Sequence, residues 1–487
     1  MMRTSKFLMA MLLGAALLSC AKEEKTPWKS LSEKEQELYF VNTFGYNMMS
    51  TYYLWSAEVS SDLRKWSAKS DPIATVRSLR YKDASGKDID RWSMMTDDYE
   101  ALTDMVQGNA KSIGMEFSVY YSDESKQNVV LVVNCVYADS PASLAGYKRG
   151  DKIVAVDGQL LTPDNYAELL EGHVLGADSV TLTNADGSDV TLRAADMYQD
   201  PIICHKVLDK GGRKIGYLHY TSFTLKSCAP LVEVFKEFKE AGITEMVLDL
   251  RYNGGGYAMV SALLGSMLAP EVEVRRGSVF LTEVFNRTLS EAWDDTRKET
   301  RFETVFNVDE DGVSEVVRTD GANVQISKLY VIMTGQTASA SESTVCGLSP
   351  YLDIVLAGER SHGKYCAGII VDGPTWYSWN RNAFGEKTLE AALRKSENWG
   401  IYVMISRFAD KNGETLCMPD GLEPSINVSD NPLDGYQLGD PEETMLAAVL
   451  AGHTPSQSRR SLSHAPLKIE RPSVRPSFMI LDKSIVE

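Results

Sequence analysis

The chain has 487 residues, of which 44% are hydrophobic and 24% are charged, and these fractions are ordinary for globular protein. Its length is too great for one small core, so about two or three domains are expected. The formal net charge of −17 argues against nucleic acid or an anionic membrane surface as the main partner.

The first residues, 1–19, have the features of a targeting segment. Arg3 and Lys6 precede an apolar run, Phe7 to Leu18, which is too short to span a bilayer. The run ends in Leu-Leu-Ser before Cys20, which resembles the bacterial lipobox and implies a lipid on Cys20 after cleavage. An ordinary secretory signal that contains a cysteine is the alternative. The charged residues 20–27 are predicted to form a tether.

The stretch Ala-Lys-Glu-Glu-Lys at 21–25 resembles the signal that directs some Bacteroidetes lipoproteins to the outer cell surface. We therefore expect a lipoprotein of the cell envelope, anchored to the outer membrane by its lipid. The sequence leaves open whether it faces the periplasm or the cell surface.

Residues 28–107 are predicted to form a helical N-terminal domain. The run from Ser32 to Glu35 starts like a capped helix, and apolar residues then recur at helical spacing through Leu38, Phe44 and Met48. This pattern predicts a helical cap rather than a catalytic unit.

Residues 108–197 have a β-rich pattern. They contain the sequence Ser140-Pro141-Ala142, Ala145-Gly146, Gly150-Asp151 and Val156-Asp157-Gly158. This pattern resembles a PDZ domain of the circularly permuted kind found in bacterial proteases. Such domains bind an extended peptide as an added strand and hold its carboxylate with backbone amides. Ile113, Gly114 and Met115 are the candidate carboxylate loop, and a PDZ fold kept only as structure is the alternative.

Residues 198–451 have an α/β pattern. A strand at 214–220, an amphipathic helix at 228–241 and a strand at 246–250 lead into the glycine turn 251–256. The tail, 452–487, carries prolines, serines and basic residues with few large apolar ones before 478–481. It is predicted to be flexible, with no core of its own.

Ser339 and Lys364 each follow an apolar, strand-like run. A serine hydroxyl is a poor nucleophile until a nearby base takes its proton, and a lysine can be that base only if burial lowers its pKa. The pair therefore predicts a hydrolase.

The order of motifs supports a more specific prediction. A PDZ-like segment is followed by LRYNGGG at 250–256, TASASE at 337–342 and HGK at 362–364. This order resembles the C-terminal processing (tail-specific) peptidases, serine endopeptidases with a Ser–Lys dyad, over roughly residues 30–450. The resemblance implies that Ser339 is the nucleophile and that Lys364, 25 positions later, is the general base.

The same resemblance implies the fold class. We expect an α/β multidomain protein with a helical N-terminal cap, a PDZ-like β-rich domain and an α/β catalytic domain of the tail-specific protease type. A catalytically inactive, peptide-binding lipoprotein on this fold is the rival interpretation, since fold does not guarantee function.

Acyl transfer also needs donors for the oxyanion. The amide of Ala340, next to the nucleophile, is one candidate, and the resemblance implies the amide of Gly255 as the other. Family members usually carry a glutamine four positions after the lysine, where it orients the amine, but this chain has Gly368. His362 is an alternative base; we prefer Lys364 because it holds the family position.

The histidines and cysteines show no metal-ligand spacing, so neither a metal nor a cofactor is expected. The expected partners are polypeptide substrates and, through the N-terminal lipid, the membrane. The sequence does not indicate an oligomeric state.

Overall fold

The computed structural model describes residues 27–310, 312–452, 468–469 and 477–486. The predicted targeting segment, Cys20 and the tether up to residue 26 lie outside the described residues. Within the described ranges, no helix has both the length and the apolar character that crossing a bilayer requires.

The N-terminal part is mainly helical, with one short strand. Its elements are helices α1 (Glu33–Thr51), α2 (Ser60–Leu63), α3 (Pro72–Ser78) and α4 (Tyr99–Gln107), and strand β1 (Met94–Thr96). Helix α1 begins after Ser32, whose amide donates to the Glu35 carboxylate at 3.0 Å, as in a capping box. Phe40, Phe44 and Met48 on this helix are buried. The cap therefore packs on the rest of the protein through an apolar helix face.

The PDZ-like part has its own apolar core, which includes Leu131, Val133 and Ile153. Its strands are β2 (Asn109–Ser112), β3 (Met115–Tyr121), β4 (Val129–Val136), β5 (Lys152–Val156), β6 (Gln159–Leu160), β7 (Ser179–Asn184), β8 (Asp189–Arg193) and β9 (Ala195–Tyr198). Its helices are α5 (Pro141–Leu144) and α6 (Tyr166–Glu168), and α6 continues as a wider turn, Leu169–Val174. The sheet order is β3-β4-β5-β7-β8, with β6 paired to β5 and a separate β2-β9 pair.

The remaining part is α/β. Its strands are β10 (Ile202–Lys210), β11 (Arg213–Tyr220), β12 (Glu245–Asp249), β13 (Gly255–Tyr257), β14 (Val279–Phe285), β15 (Glu299–Arg301), β16 (Val305–Glu310), β17 (Val313–Arg318), β18 (Lys328–Met333), β19 (Asp353–Gly358), β20 (Cys366–Asp372), β21 (Gly400–Ala409), β22 (Ile426–Asn427) and β23 (Phe478–Ile480). Its helices are α7 (Cys228–Ala241), α8 (Ala258–Leu268), α9 (Glu271–Arg276), α10 (Arg287–Ala292), α11 (Ala340–Leu348), α12 (Gly373–Trp379), α13 (Glu386–Lys395) and α14 (Thr444–Ala451). Short 3-10 turns occur at Pro27–Ser30, Leu225–Ser227, Asp295–Arg297, Arg381–Ala383 and Lys483–Val486.

One sheet of this part brings the predicted motifs together. Its order is β10-β11-β12-β18-β19-β22, and all neighbours from β11 onward are parallel. Parallel strands end at the same edge of a sheet. The glycine turn follows β12, Ser339 follows β18 and Lys364 follows β19, so the three motifs share that edge.

A second sheet has the order β13-β23-β20-β21-β14-β15, and β1 also pairs with β21. Its strand β13 begins in the glycine turn, and its strand β20 begins shortly after Lys364. Strand β23 comes from the predicted flexible tail. Phe478, Met479 and Ile480 are all buried in it. The apolar run 478–481 is thus buried as a central strand of this sheet, which differs from the flexibility predicted for the tail.

Candidate active site

Ser339 lies between the end of β18 and the first turn of α11. Its φ of 63° and ψ of −111° form a backbone conformation that residues other than glycine rarely adopt. The loop before it is held against the glycine turn, since Thr337 Oγ1 donates to the Leu250 carbonyl at 2.7 Å. The Ala338 amide donates to the Asn253 carbonyl at 3.0 Å. The Ser339 side chain is fully buried, and among the described residues its Oγ has no hydrogen-bond partner.

The carboxylate of Glu342 joins the Ser339 loop to the Lys364 loop. It accepts hydrogen bonds from the amides of Ser339 at 2.8 Å, Gly363 at 2.7 Å and Lys364 at 2.9 Å. It also accepts one from Oγ of Ser361 at 2.5 Å. Burial nevertheless raises the pKa of Glu342. These bonds fix the two loops relative to each other.

Lys364 lies in the loop between β19 and β20 and is completely buried. Burial lowers the pKa of its amine to about 7. Nζ lies 5.3 Å from the centre of the Trp92 ring, 5.0 Å from that of Tyr402 and 5.9 Å from that of Phe478. It donates hydrogen bonds to the Tyr402 hydroxyl, at 2.9 Å, and to the Ser477 carbonyl. The amine is thus neutral in a large fraction of molecules at neutral pH, as a general base requires.

The space beside Gly368 is filled by neighbouring residues. A Cβ on Gly368 would lie 2.6 Å from Cε of Met404, 2.6 Å from the Val403 carbonyl and 2.7 Å from Cε2 of Tyr402. No side chain fits there unless these atoms move. The Tyr402 ring is one of the groups that fill this space, and its hydroxyl accepts a hydrogen bond from the amine of Lys364.

The structure places Ser339 and Lys364 in adjoining loops without joining their side chains. Among the described residues, no hydrogen bond links Oγ of Ser339 to Nζ of Lys364. Nζ binds the tail carbonyl of Ser477 and the Tyr402 hydroxyl instead. The dyad therefore stays a prediction.

The alternative base, His362, lies on the same loop as Lys364. Its amide donates to the Thr337 carbonyl at 2.9 Å, and its ring centre lies 6.2 Å from that of Trp92. Burial lowers the pKa of His362 to about 4, so its ring is a weaker base than the Lys364 amine.

The two predicted oxyanion donors flank Ser339. A Cβ on Gly255 would lie 2.1 Å from the Phe478 carbonyl, 2.8 Å from Cβ of Ser339 and 3.0 Å from the Ala340 amide nitrogen. Position 255 therefore requires glycine for two reasons: a Cβ would collide with these atoms, and the φ of 107° is one that other residues rarely adopt. The Gly255 amide donates to Oδ1 of Asn253 at 2.8 Å and is therefore engaged within the turn. Both donor assignments stay predictions.

The predicted carboxylate loop of the PDZ-like part faces inward. Ile113 and Met115 are buried. The amide of Gly114 donates to Oγ of Ser112 at 3.0 Å, and its carbonyl accepts from Oγ of Ser140 at 3.3 Å. The role of residues 113–115 in binding a terminal carboxylate stays a prediction.

A buried ionic cluster connects the PDZ-like part to the glycine turn. Arg149 donates to Asp430 at 2.6 Å and to the Tyr252 hydroxyl at 2.8 Å. Arg251, in the glycine turn, donates to Asp430 at 2.8 Å and to Glu443 at 2.7 Å. Burial opposes ionisation of Asp430, yet the two guanidiniums hold the pKa of this carboxyl well below its usual range.

Sequence reasoning missed Glu342, Trp92, Tyr402 and Ser477 as parts of the site. Glu342 had a usable signal, because a glutamate three residues after a serine is the spacing of a capping box. Trp92, Tyr402 and Ser477 are distant in the chain from both Ser339 and Lys364, and only the pairing of β1 and β23 in the second sheet brings them close. No local pattern indicates such contacts.

Among the described residues, no group of three or more His, Cys, Asp or Glu side chains could hold a metal ion. No disulfide joins the six described cysteines, of which all but Cys204 are buried.

The sequence matches the profiles of three protein families in the order in which their parts occur in the fold. The "Peptidase S41 N-terminal domain" profile matches residues 41–94, the "PDZ domain" profile residues 132–182 and the "Peptidase family S41" profile residues 214–372. These matches confirm the predicted fold class and the resemblance on which it was based.

Individual proteins are similar in the same regions. The "C-terminal processing peptidase, chloroplastic" of Tetradesmus obliquus is 27% identical over 56% of this chain and 55% of its own length. The "Carboxyl-terminal-processing protease" of Picosynechococcus sp. is 25% identical over 75% of this chain and 76% of its own. The chain thus spans between about half and three quarters of these relatives. The crystal structure of a protein described as an S41 protease from Bacteroides fragilis superposes with a TM-score of 0.60 at 20% identity. The superposition covers 84% of this chain and 96% of that one, so the two share a fold.

Proposed function

We propose that this chain, which belongs to peptidase family S41, is a serine endopeptidase that cuts unfolded or C-terminally presented polypeptides with Ser339 and Lys364. The observation that carries the proposal is the environment of Lys364. Its amine is completely buried with a pKa of about 7, in a loop that Glu342 ties to the loop of Ser339. General-base activation of a hydroxyl by lysine needs a buried lysine whose pKa is near 7. Here that lysine lies in a loop next to the loop of a serine with an unfavourable backbone conformation.

In the proposed reaction, neutral Nζ of Lys364 takes the proton of Ser339 as Oγ attacks the substrate carbonyl carbon. The tetrahedral oxyanion is held by the amide of Ala340 and, once it turns from Asn253, by that of Gly255. The lysine ammonium then protonates the departing amine, leaving an acyl-enzyme at Oγ. Water, deprotonated by the same lysine, releases the acyl product and regenerates Ser339.

The PDZ-like part supplies a way to select substrates. An extended peptide added as a strand at its edge gains backbone hydrogen bonds that do not depend on sequence. The buried cluster around Arg149 and Arg251 holds that part against the glycine turn, so a peptide bound there lies on the same rigid frame as the site. This favours unstructured polypeptides over folded proteins as substrates.

Hydrolysis of an unstructured polypeptide tests the proposal. Ser339→Ala and Lys364→Ala should each abolish cleavage, because one removes the nucleophile and the other its base. Ser188→Ala and Lys387→Ala change exposed residues outside the site and should leave the rate unchanged. Normal cleavage by either of the first two variants, with folding intact, would show that the dyad is wrongly assigned.

An inactive, peptide-binding protein is the second candidate. It is favoured by Gly368 and by the contact of Lys364 Nζ with the Ser477 carbonyl rather than with Ser339. A serine-directed covalent probe separates the two. Labelling that is lost in Ser339→Ala supports the peptidase, and the absence of labelling in a chain that still binds peptides supports the second candidate.

The cellular location of the protein is also part of the proposal, and it is inferred from the sequence alone. We infer that Cys20 carries a lipid that anchors the chain to the outer membrane of the cell envelope. Expression of the full chain and of Cys20→Ala, followed by membrane fractionation, tests this. The chain with Cys20 should be found with membranes, and the Cys20→Ala variant should be found in the soluble fraction. An equal distribution of the two would contradict the lipid anchor.

A further inference from the structure

The tail fills a gap of one strand beside Ser339. Strand β23 lies between β13 and β20 and runs parallel to both, with Phe478 opposite Gly255 and Ile480 opposite Gly368. The Phe478 amide donates to the Gly254 carbonyl at 3.2 Å, and the Leu481 amide donates to the Gly368 carbonyl at 2.9 Å. Without β23, the facing edges of β13 and β20 would have no partner strand between them.

The backbone of this segment contacts the proposed catalytic groups. Nζ of Lys364 donates to the Ser477 carbonyl. The Tyr402 hydroxyl accepts from the Met479 amide at 3.1 Å and donates to the Met479 carbonyl at 3.0 Å. The Phe478 carbonyl lies against Gly255. Contacts to consecutive backbone groups are what a peptidase uses to hold an extended substrate.

A second stretch of the tail lies on the edge strand of the PDZ-like part. The Ile469 amide donates to the Val119 carbonyl at 2.8 Å, and Lys468 pairs with Tyr120 in an antiparallel bridge. The Ile469 side chain packs against the apolar core of that part. The tail therefore adds to an edge strand in the way that PDZ ligands do.

Beyond the cleft the tail is held again. Ile485 and Val486 pack against the main apolar core, and Arg297 donates to the Ile485 carbonyl at 2.7 Å. Residues 477–481 therefore pass through the site as an internal segment. The contacts of Lys468 and Ile469 come before it in the chain, and those of Ile485 and Val486 come after it. An internal segment of a substrate would have to run in the same way.

We propose that the gap between β13 and β20 is the substrate cleft, that it accepts extended segments with apolar side chains, and that residues 477–481 are a resident pseudosubstrate that inhibits the enzyme. This rests on the proposed peptidase function. While the tail is bound, it occupies the cleft beside Ser339, and the Lys364 amine donates to the Ser477 carbonyl, so a polypeptide cannot be placed there. A polypeptide binds only after β23 leaves.

The test uses the full-length chain with Met479→Asp, which places a charge in a completely buried position of β23 and should expel the strand. Its rate of hydrolysis of an unstructured polypeptide should exceed that of the unaltered chain about tenfold, since an attached tail competes at a millimolar effective concentration. Ser484→Asp adds the same charge to an exposed tail residue and should change nothing.

A second variant covers the case in which Met479→Asp fails to fold. Arg297→Ala removes the exposed contact to Ile485 and should raise the rate several-fold, whereas Arg287→Ala, in an exposed pair with Glu291, should not. A rate equal to that of the unaltered chain in Arg297→Ala, and in Met479→Asp where that variant folds, would overturn the inference while leaving the peptidase intact.

A binding measurement separates this inference from the proposed function. A fluorescent peptide of residues 473–486 should bind the double variant Ser339→Ala, Met479→Asp about tenfold more tightly than it binds Ser339→Ala, whose cleft is filled. That difference supports the pseudosubstrate even if no variant hydrolyses anything. Equal binding to both chains, or no binding to either, contradicts it.

Discussion

Nζ of Lys364 donates a hydrogen bond to the hydroxyl of Tyr402 at 2.9 Å, and both side chains are buried. The contact crosses from the loop before β20 to the neighbouring strand β21. The phenol of Tyr402 thus fixes the position of the amine. The family resemblance implies that a glutamine at position 368 would do this, but this chain has Gly368 there. The position of the amine therefore depends on the packing of β20 against β21.

Tyr402→Phe should lower kcat about ten- to a hundredfold, because the amine loses its fixed position. Loss of this acceptor also disfavours the ammonium, so the rise of activity with pH should begin at lower pH. Tyr377→Phe is the control, since it removes another buried phenol, which donates to the Phe40 carbonyl at 2.9 Å. If Tyr402→Phe keeps both the wild-type rate and the wild-type pH profile, Tyr402 does not position Lys364.

The pH dependence of kcat/KM should follow the amine of Lys364. Only its neutral form accepts a proton, and burial lowers its pKa to about 7, so activity should rise with pH and level off above about 7. Lys364→Arg should be inactive at every pH, because a guanidinium is not deprotonated in proteins. A profile that is flat between pH 6 and 8, about one unit on either side of that pKa, would exclude Lys364 as the base.

Glu342→Gln should reduce both stability and activity. A glutamine has only one acceptor oxygen, so either the backbone amides of Ser339 and Lys364 or that of Gly363 lose their acceptor, at a cost of about 1–3 kcal/mol each. Thermal unfolding and peptide hydrolysis measure the two effects. Glu397→Gln, at an exposed position, is the matched control and should resemble the unaltered chain.

Arg149→Met should destabilise the protein by about 3–5 kcal/mol, because Asp430 keeps a buried charge with one partner fewer. Urea unfolding measures this. Lys148→Met, at the exposed neighbouring position, should have little effect. An equal midpoint for Arg149→Met and the unaltered chain would mean that the cluster does not join the PDZ-like part to the glycine turn.

Glu283→Gln should stabilise the protein at pH 8. Burial raises the pKa of Glu283 from 4.5 to about 7, so the folded state favours the protonated form and stability falls as pH rises from about 4.5 through 7. A glutamine avoids this loss, which at about 1.4 kcal/mol per pKa unit amounts to at most about 3.5 kcal/mol. Below pH 4 the gain should vanish, and a gain that does not depend on pH would contradict the explanation.

Much of this architecture could be predicted from the sequence because its signals are local. Apolar runs that end just before Ser339 and Lys364 predict parallel strands, and such strands deliver the residues that follow them to one edge of a sheet. The run of glycines at 254–256 is also a local signal, because it predicts a turn. In the structure, a side chain at Gly255 would collide with Ser339.

What could not be predicted depends on pairing between distant segments. Trp92, Tyr402 and Ser477 meet Lys364 only because β1, β21 and β23 join one sheet. The apolar run 478–481 was visible in the tail, but nothing local indicated that it would lie between β13 and β20. A short strand with no hairpin partner gains its pairing energy only in the assembled sheet.

The most direct test of Ser339 as nucleophile and Lys364 as its base is the rate at which a serine-directed covalent probe modifies the full-length chain, with the modified residue located by mass spectrometry. We expect modification of Ser339, at a rate that rises with pH through about 7 and falls about a hundredfold or more in Lys364→Ala. Modification of a different residue, or an unchanged rate in Lys364→Ala, would contradict these roles.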